Sequence, residues 1–471
     1  MSISRVMAEM ALNTKPEEIT AGAYEAAKRL ILDTIGTAIS GYDAPGIQPI
    51  HELVAEWRGT EEAHVFVYGG RYPAPNAAFV NSSMIHALDL DDVHMPAILH
   101  IMSSVLPVTF AVGEMMRATG KDMMAAMVLG IEVAARIGIE HLRYRKHEGF
   151  LPASVDGGFG ATASVCRLLK LNRDQSVHAF GIFYAHASGN RQALFELTLT
   201  KRIQPAIAAK AALWAALLAR KGITGPELAF EGDAGLFRIY GNGMDAIPKE
   251  ENFLGDRGFF EIERTGIKKF PTCGAHHGAI QAALDLAVDN DLKPDQIDHV
   301  EYYIGEGGNK LVGRPFRIGS QPQVSAQFCA PYAIALALVR RKVSVANISD
   351  EKIQNDRETM DVAERTKILT HWNFDPNLNK EYEGYPPFFG RPQMVRVITK
   401  DGKEMMRTRN QGDVLHPDHM HWDDVVEKFR VCAASSRIWP SDKTETIIDA
   451  VKNFEAVTDA SDFIESCLTL R

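Results

Sequence analysis

Val395-Arg-Val-Ile-Thr-Lys400-Asp401-Gly402-Lys403-Glu404-Met-Met-Arg-Thr408 is the stretch that decides the fold class. Residues 395–399 and 404–408 flank Lys400-Asp401-Gly402-Lys403, and Asp-Gly supplies the positive φ that a type I′ hairpin turn requires. Around this hairpin, residues 298–304 read as a strand and residues 274–290 and 325–339 as helices. Shorter segments lie at 350–355 and 359–368. Residues 268–411 therefore form a mixed α/β unit.

The rest of the chain is patterned for helices. Pro16 opens one whose apolar positions run through Tyr24, Ala27, Ile31 and Ala38 to Gly41. Residues 102–116 and 122–137 follow. Residues 157–171 and 176–187 are nearly devoid of charge, as helices buried on most sides are. Residues 205–221 are Ala-rich and end at Gly222, and the helical pattern returns over 422–471. The expected fold is mainly α: a helical-bundle domain built from 1–267 and 412–471, with a smaller α/β domain, 268–411, inserted and a cleft between them.

Composition narrows the function. Of 471 residues, 60 are acidic and 51 basic, and the basic ones are scattered, which argues against a nucleic-acid or membrane-surface role. No signal-peptide pattern and no apolar run of membrane-spanning length occurs. Five dispersed cysteines without a C-x-x-C fit reduced thiols in a cytoplasmic protein.

The chemistry concentrates in His86-Ala-Leu-Asp89-Leu-Asp91-Asp92-Val-His94-Met-Pro96-Ala-Ile-Leu-His100: three carboxylates and three imidazoles in fifteen residues. In a helix, Asp89 would share a face with His86 and with Asp92. Lining a cleft, such groups shift one another's pKa by roughly one to several units. The alternatives are a solvated helix end, with Pro96 at its exit, or a metal site. Against the latter, the EF-hand Gly and Glu are missing and no His-Glu-x-x-His occurs. His86, among Met84, Ile85 and Leu88, reads as a core histidine.

Two further segments add charge. Thr200-Lys201-Arg202-Ile-Gln204-Pro205 places two cations just before a helix, where free amides suit a carboxylate or phosphate, or else exposes two surface cations. Lys268-Lys269-Phe270-Pro271-Thr-Cys273-Gly-Ala-His276-His277-Gly278 sets two histidines at a helix start, which favours their neutral form. Gly157-Gly158-Phe159-Gly160 matches no nucleotide-binding fingerprint, so its glycines let helices approach or leave room above a cavity.

Together these segments, with Leu32-Asp-Thr-Ile-Gly36 and Gly222-Ile-Thr-Gly-Pro226, resemble the MmgE/PrpD family along nearly the whole chain. That family includes 2-methylcitrate dehydratase, cis-aconitate decarboxylase and iminodisuccinate epimerase. The resemblance implies a helical domain with an α/β lid, a homodimer, and no metal or organic cofactor. It implies Asp89, His100, Lys201 and His277 as catalytic residues; Asp92, His94, Arg202, Gln204 and His276 complete the candidate set as substrate-binding groups. Relatives carry different residues at Val93, Ile101, Leu151, Ala153 and Gln204, and His94 is a candidate replacement for a lost polar group. The implied function is a lyase acting beside a carboxylate of a small di- or tricarboxylate, with dehydration preferred. Decarboxylation, epimerisation or mere binding by a non-catalytic paralogue are the alternatives.

Overall fold

Charge-poor helices bury all their faces only where small residues let backbones approach. In the computed structural model, which describes residues 1–144, 149–241, 247–254, 258–370, 392–417 and 420–470, six long helices pack closely with most of their residues buried. They are α1 (Ala21–Gly41), α2 (Ala74–His86), α3 (Met102–Met116), α4 (Gly120–Tyr144), α5 (Pro152–Leu168) and α6 (Thr200–Arg220). α5 packs against α3, α4 and α6, and α6 also crosses α2. At the α4–α5 crossing, a Cβ on Gly160 would lie 2.4 Å from the Gly130 carbonyl oxygen, and one on Gly158 would strike the Phe183 ring. The glycines of residues 157–160 therefore serve close approach.

Two helix starts differ from expectation. Pro16 opens only a short 3₁₀ turn, and α1 begins after Thr20, whose hydroxyl accepts the Ala23 N–H. α6 begins at Thr200 and carries Pro205 inside it, so Lys201 and Arg202 occupy its first turn instead of preceding it.

A two-stranded ribbon, β1 (Val93–His94) with β2 (Thr265–Gly266), draws the loop after α2 onto the segment entering the second unit. There, β3 (Ile297–Tyr303), β4 (Thr366–Leu369), β5 (Pro392–Thr399) and β6 (Glu404–Asn410) form a sheet in the order β4-β3-β5-β6. β3 and β4 are parallel; the other pairs are antiparallel. β4 overlaps the end of 359–368, which the sequence offers as one short segment. The β5–β6 hairpin forms, but its turn is not type I′: Gly402 alone takes positive φ, at +83°, and its N–H bonds the Thr399 carbonyl. A three-residue loop with one left-handed glycine achieves the same reversal.

α7 (His277–Asp289) and α8 (Ala330–Arg340) pack on this sheet, while α9 (Trp422–Ser435) returns to α1. Buried apolar side chains from 3–267 and 425–468 share one core, and those from 270–414 a second. Leu194 of the first region packs with Val324 and Phe328 of the second in a separate, smaller cluster. No helix among the described residues is long and apolar enough to cross a membrane.

Gly160→Ala is expected to lower unfolding free energy by about 1–3 kcal/mol through overpacking. Gly149→Ala, where an added Cβ meets nothing within 4 Å, should change it by less than about 0.5 kcal/mol in the same urea titration.

Candidate active site

α2 ends at His86, and the chain then leaves helical geometry. Asp89 takes φ +51°, a left-handed conformation uncommon outside glycine. Asp89 and Asp92 therefore share no helix face, contrary to the spacing argument. Asp92, expected to bind substrate, is instead the cap of α3: its two oxygens accept the N–H groups of Ile101 and Met102, each at 3.0 Å. Burial and the neighbouring Asp91 charge push its pKa well above the usual carboxylate range, against those two hydrogen bonds.

Asp89 is the hub. Lys201, from the first turn of α6, donates to one carboxylate oxygen; Lys268, just beyond β2, donates to the other and to the Asp89 carbonyl, both at 2.8 Å. All three side chains are buried, Lys268 completely. Burial alone would raise the Asp89 pKa, but the two ammonium groups outweigh it and hold the carboxyl well below its usual range. Burial likewise opposes the charge on Lys268, and Asp89 with Asp91 overcomes it and raises its pKa. Lys201 also lies over the Phe328 ring, 4.9 Å from its centroid.

His100 enters from the start of α3. Its Nδ1–H donates to the Asp92 carbonyl, so Nε2 is the ring's free acceptor. Its side chain is 22% exposed, unlike the fully buried His86, whose ring centroid is 5.4 Å away. Burial and the Lys268 charge push His100 down to about 3. His86 donates to Asp91 at 2.6 Å, and the other Asp91 oxygen lies 3.9 Å from His100 Nδ1. Asp91, not Asp92, is thus the second acid of the cluster, and His86 belongs to it as more than core packing.

His277 and His276 stand on a turn pinned from the sheet. Gln393 accepts the Ala279 N–H and donates to the Ala275 carbonyl, and Gln411 donates to the Gly274 carbonyl. His277 Nε2–H donates to the Thr272 carbonyl at 3.2 Å, with its ring edge-on to Phe270. Burial pushes His277 well below its ordinary value and His276 down to about 3.

Three other candidates are committed elsewhere. His94 donates through Nε2 to Glu261 at 3.1 Å and accepts the Ala97 N–H on Nδ1, which leaves neither nitrogen for a ligand. Arg202 donates to the Pro45 carbonyl and to Gln323, linking α6 to the second unit; burial lowers its pKa to about 10. Gln204 clamps the Asn190 backbone, accepting its N–H at 2.6 Å and donating to its carbonyl at 3.0 Å. These contacts brace the fold around the cluster, and two of the partners, Glu261 and Gln323, are distant in sequence.

The site so assembled joins residues of two sequence regions, and each region matches a family model. Residues 5–248 match the MmgE/PrpD N-terminal domain and residues 270–456 the MmgE/PrpD C-terminal domain. The chain belongs to the MmgE/PrpD family. Within that family it is 27% identical over 472 residues to a cis-aconitate decarboxylase of Aspergillus terreus, covering 97% of this chain and 94% of that one. The human cis-aconitate decarboxylase is 25% identical over 486 residues, 98% and 93% of the two chains. A cis-aconitate decarboxylase-like protein of Aspergillus oryzae is 33% identical over 285 residues, 57% and 58% of the two chains.

Lys268 escaped the sequence-derived candidate set although its motif was singled out. The sequence does not separate Lys268 from Lys269, because β2 ends at Gly266 and no strand alternation reaches either lysine. Nothing in the sequence distinguishes Asp91 from Asp92, because capping of α3 is visible only after the loop is folded. A groove of about 780 Å³ lies off the cluster: it runs along Lys269, Phe270, Arg341, Val425 and Lys428 and reaches the cluster at Lys268.

Lys268→Met should cost about 3 kcal/mol of stability by leaving Asp89 short of a partner, and adding Asp89→Asn should restore part of it. A double-mutant cycle by urea unfolding measures both. A second expectation concerns pH. His86, His94, His100, His276 and His277 all have lowered folded pKa values, so the unfolded chain binds more protons once pH drops below about 6.5. Neither state holds these protons above that pH, so no penalty acts there; stability falls as pH drops towards about 4.5, and His100 and His276, each held down to about 3, contribute on the order of 1 kcal/mol per pH unit. Urea midpoints should fall over this range, with a shallower slope in His100→Gln.

Proposed function

We propose that the protein is a cofactor-independent lyase that decarboxylates a small polycarboxylate. The observation that carries this reading is the buried Asp89 carboxylate clamped by Lys201 and Lys268, with His100 Nε2 free beside it. Two ammonium groups already arranged around one carboxylate are preorganised for another, and preorganised cations act most strongly away from water. A substrate carboxylate that competes with Asp89 for them would be held at its reacting end.

Loss of CO₂ breaks a carbon–carbon bond and leaves the electron pair conjugated with a remaining carboxylate. Lys201 and Lys268 suit that added negative charge, which develops in the transition state. The carbon then takes one proton, so each turnover releases one CO₂ and consumes one proton. His100 is the candidate donor: its Nδ1 is fixed on the Asp92 carbonyl, which leaves Nε2 to carry the mobile proton. In the empty site His100 is neutral, and the charges of an arriving polycarboxylate would raise its pKa towards the protonated form that the step needs. Asp91, 3.9 Å from the ring, favours the same form.

Dehydration, the reaction preferred from sequence, requires the same anion and takes second place. The full-length relatives from Aspergillus terreus and human are decarboxylases, which supports loss of CO₂ ahead of loss of water.

Proton NMR of chelator-treated enzyme in D₂O with cis-aconitate, citrate, 2-methylcitrate and iminodisuccinate tests the proposal. The expected result is loss of CO₂ from cis-aconitate with one deuterium entering the product, and at least a hundredfold loss of rate in Lys201→Ala. Water loss from citrate or 2-methylcitrate would move the assignment to dehydration. Dependence on an added metal would overturn the cofactor-independent reading.

A further inference from the structure

We propose that the turn from Thr272 to His277 is a second carboxyl-binding subsite, in which His276 reads a substrate carboxyl group that the Asp89 cluster does not hold. This rests on the polycarboxylate reading above and extends it to specificity.

Four buried polar atoms on this one turn have no hydrogen-bond partner among the described residues: Thr272 Oγ1, both ring nitrogens of His276, and His277 Nδ1. Buried polar groups are normally paired, and a cluster of exceptions marks a place where a ligand group or water belongs. His276 is the strongest case, being fully buried and satisfied on neither nitrogen.

The turn cannot relax to find partners of its own. Gln393 and Gln411 hold the carbonyls of Ala275 and Gly274, and the Cys273 N–H is fixed on the Gln327 carbonyl. The subsite adjoins the cluster already described: a Cβ on Gly274, within this turn, would lie 3.9 Å from the Lys268 side chain.

The unpartnered atoms define what fits. With His277 Nε2–H committed to the Thr272 carbonyl, its Nδ1 accepts. A neutral His276 offers one donor and one acceptor, and the Thr272 hydroxyl a further donor. A carboxyl group carrying one shared proton complements this set: its oxygens take the Thr272 and His276 hydrogens, and the proton lies between carboxyl and imidazole. A methyl group would leave every one of these atoms unmet.

Titration calorimetry with wild type and His276→Asn tests the subsite. The probes are cis-aconitate and the three dicarboxylates that each lack a different one of its carboxyls: citraconate, glutaconate and itaconate. The variant should bind cis-aconitate roughly tenfold to a hundredfold more weakly. It should also weaken two of the dicarboxylates and leave unchanged, within about twofold, the one that lacks the carboxyl His276 reads. His276→Gln, whose amide reaches one methylene further than that of Asn, towards the position of the imidazole Nε2, should recover part of the loss, and Thr272→Val should weaken the same ligands. Circular dichroism and thermal melting verify the fold, and Thr272→Val carries the test if His276→Asn does not fold.

Unchanged affinity for all four acids would mean that water fills the turn, and equal loss for all four would mean a general structural effect; either overturns the subsite. The two proposals fail separately. Wild-type turnover with an unaffected variant removes the subsite and leaves the lyase. Selective binding loss in a protein that turns nothing over removes the lyase and leaves the subsite. A wild type that binds none of the four acids removes both.

Discussion

One carboxylate between two ammonium groups, all three out of water, is the constraint on which this structure turns. Each charge taken from solvent costs several kcal/mol, and only tight, well-oriented pairing offsets it. Asp89, Lys201 and Lys268 come from the loop after α2, the first turn of α6 and the segment beyond β2. Misplacing any one leaves a buried charge uncompensated. The fold around them therefore has to bring three distant parts of the chain to one point with little tolerance.

Several features serve that demand. The β1–β2 ribbon sets residues 93–94 against 265–266, which fixes the distance between Asp89 and Lys268. The His94–Glu261 pair and the Asp92 cap stiffen the loop that delivers His100. From the far side, Lys428 of α9 pairs with Asp33 of α1 and donates to the Leu90 carbonyl, so both ends of the chain bear on the residue next to Asp89. Arg202 ties α6 to Gln323 across the same boundary. The site is thus a junction between two cores, and the polar groups that do not face the cluster are the braces of that junction.

Electrostatically the junction is balanced when empty. Asp89 and Asp91 face Lys201 and Lys268, while burial keeps His86, His100, His276 and His277 neutral. A polyanion entering such a place brings charge that nothing static matches. Protonation of histidines is the response available, and it would place mobile protons beside the ligand. Binding and proton supply would then be one event, which the proposed loss of CO₂ requires because it consumes a proton.

By itself the sequence determined the local facts. Apolar periodicity marked the helices, Asp401-Gly402 marked the hairpin, and the density of Asp, His and Lys marked the three segments that form the site. Asp89, His100, Lys201 and His277 were legible as candidates because their motifs are locally unusual. Tertiary structure decided how each polar side chain is used. Asp91 and Asp92 are adjacent and chemically identical, yet one faces His86 and the other caps α3, since only the folded loop sets which way each points. Lys268 and Lys269 differ in the same way, one buried on Asp89 and the other on the surface. His94, Arg202 and Gln204 have the chemistry of ligand-binding groups, but Glu261, Gln323 and Asn190, each distant in sequence except the last, reach them first. Hydrogen-bond partners are assigned by position in space, and a polar residue's role follows from the partner that folding brings to it.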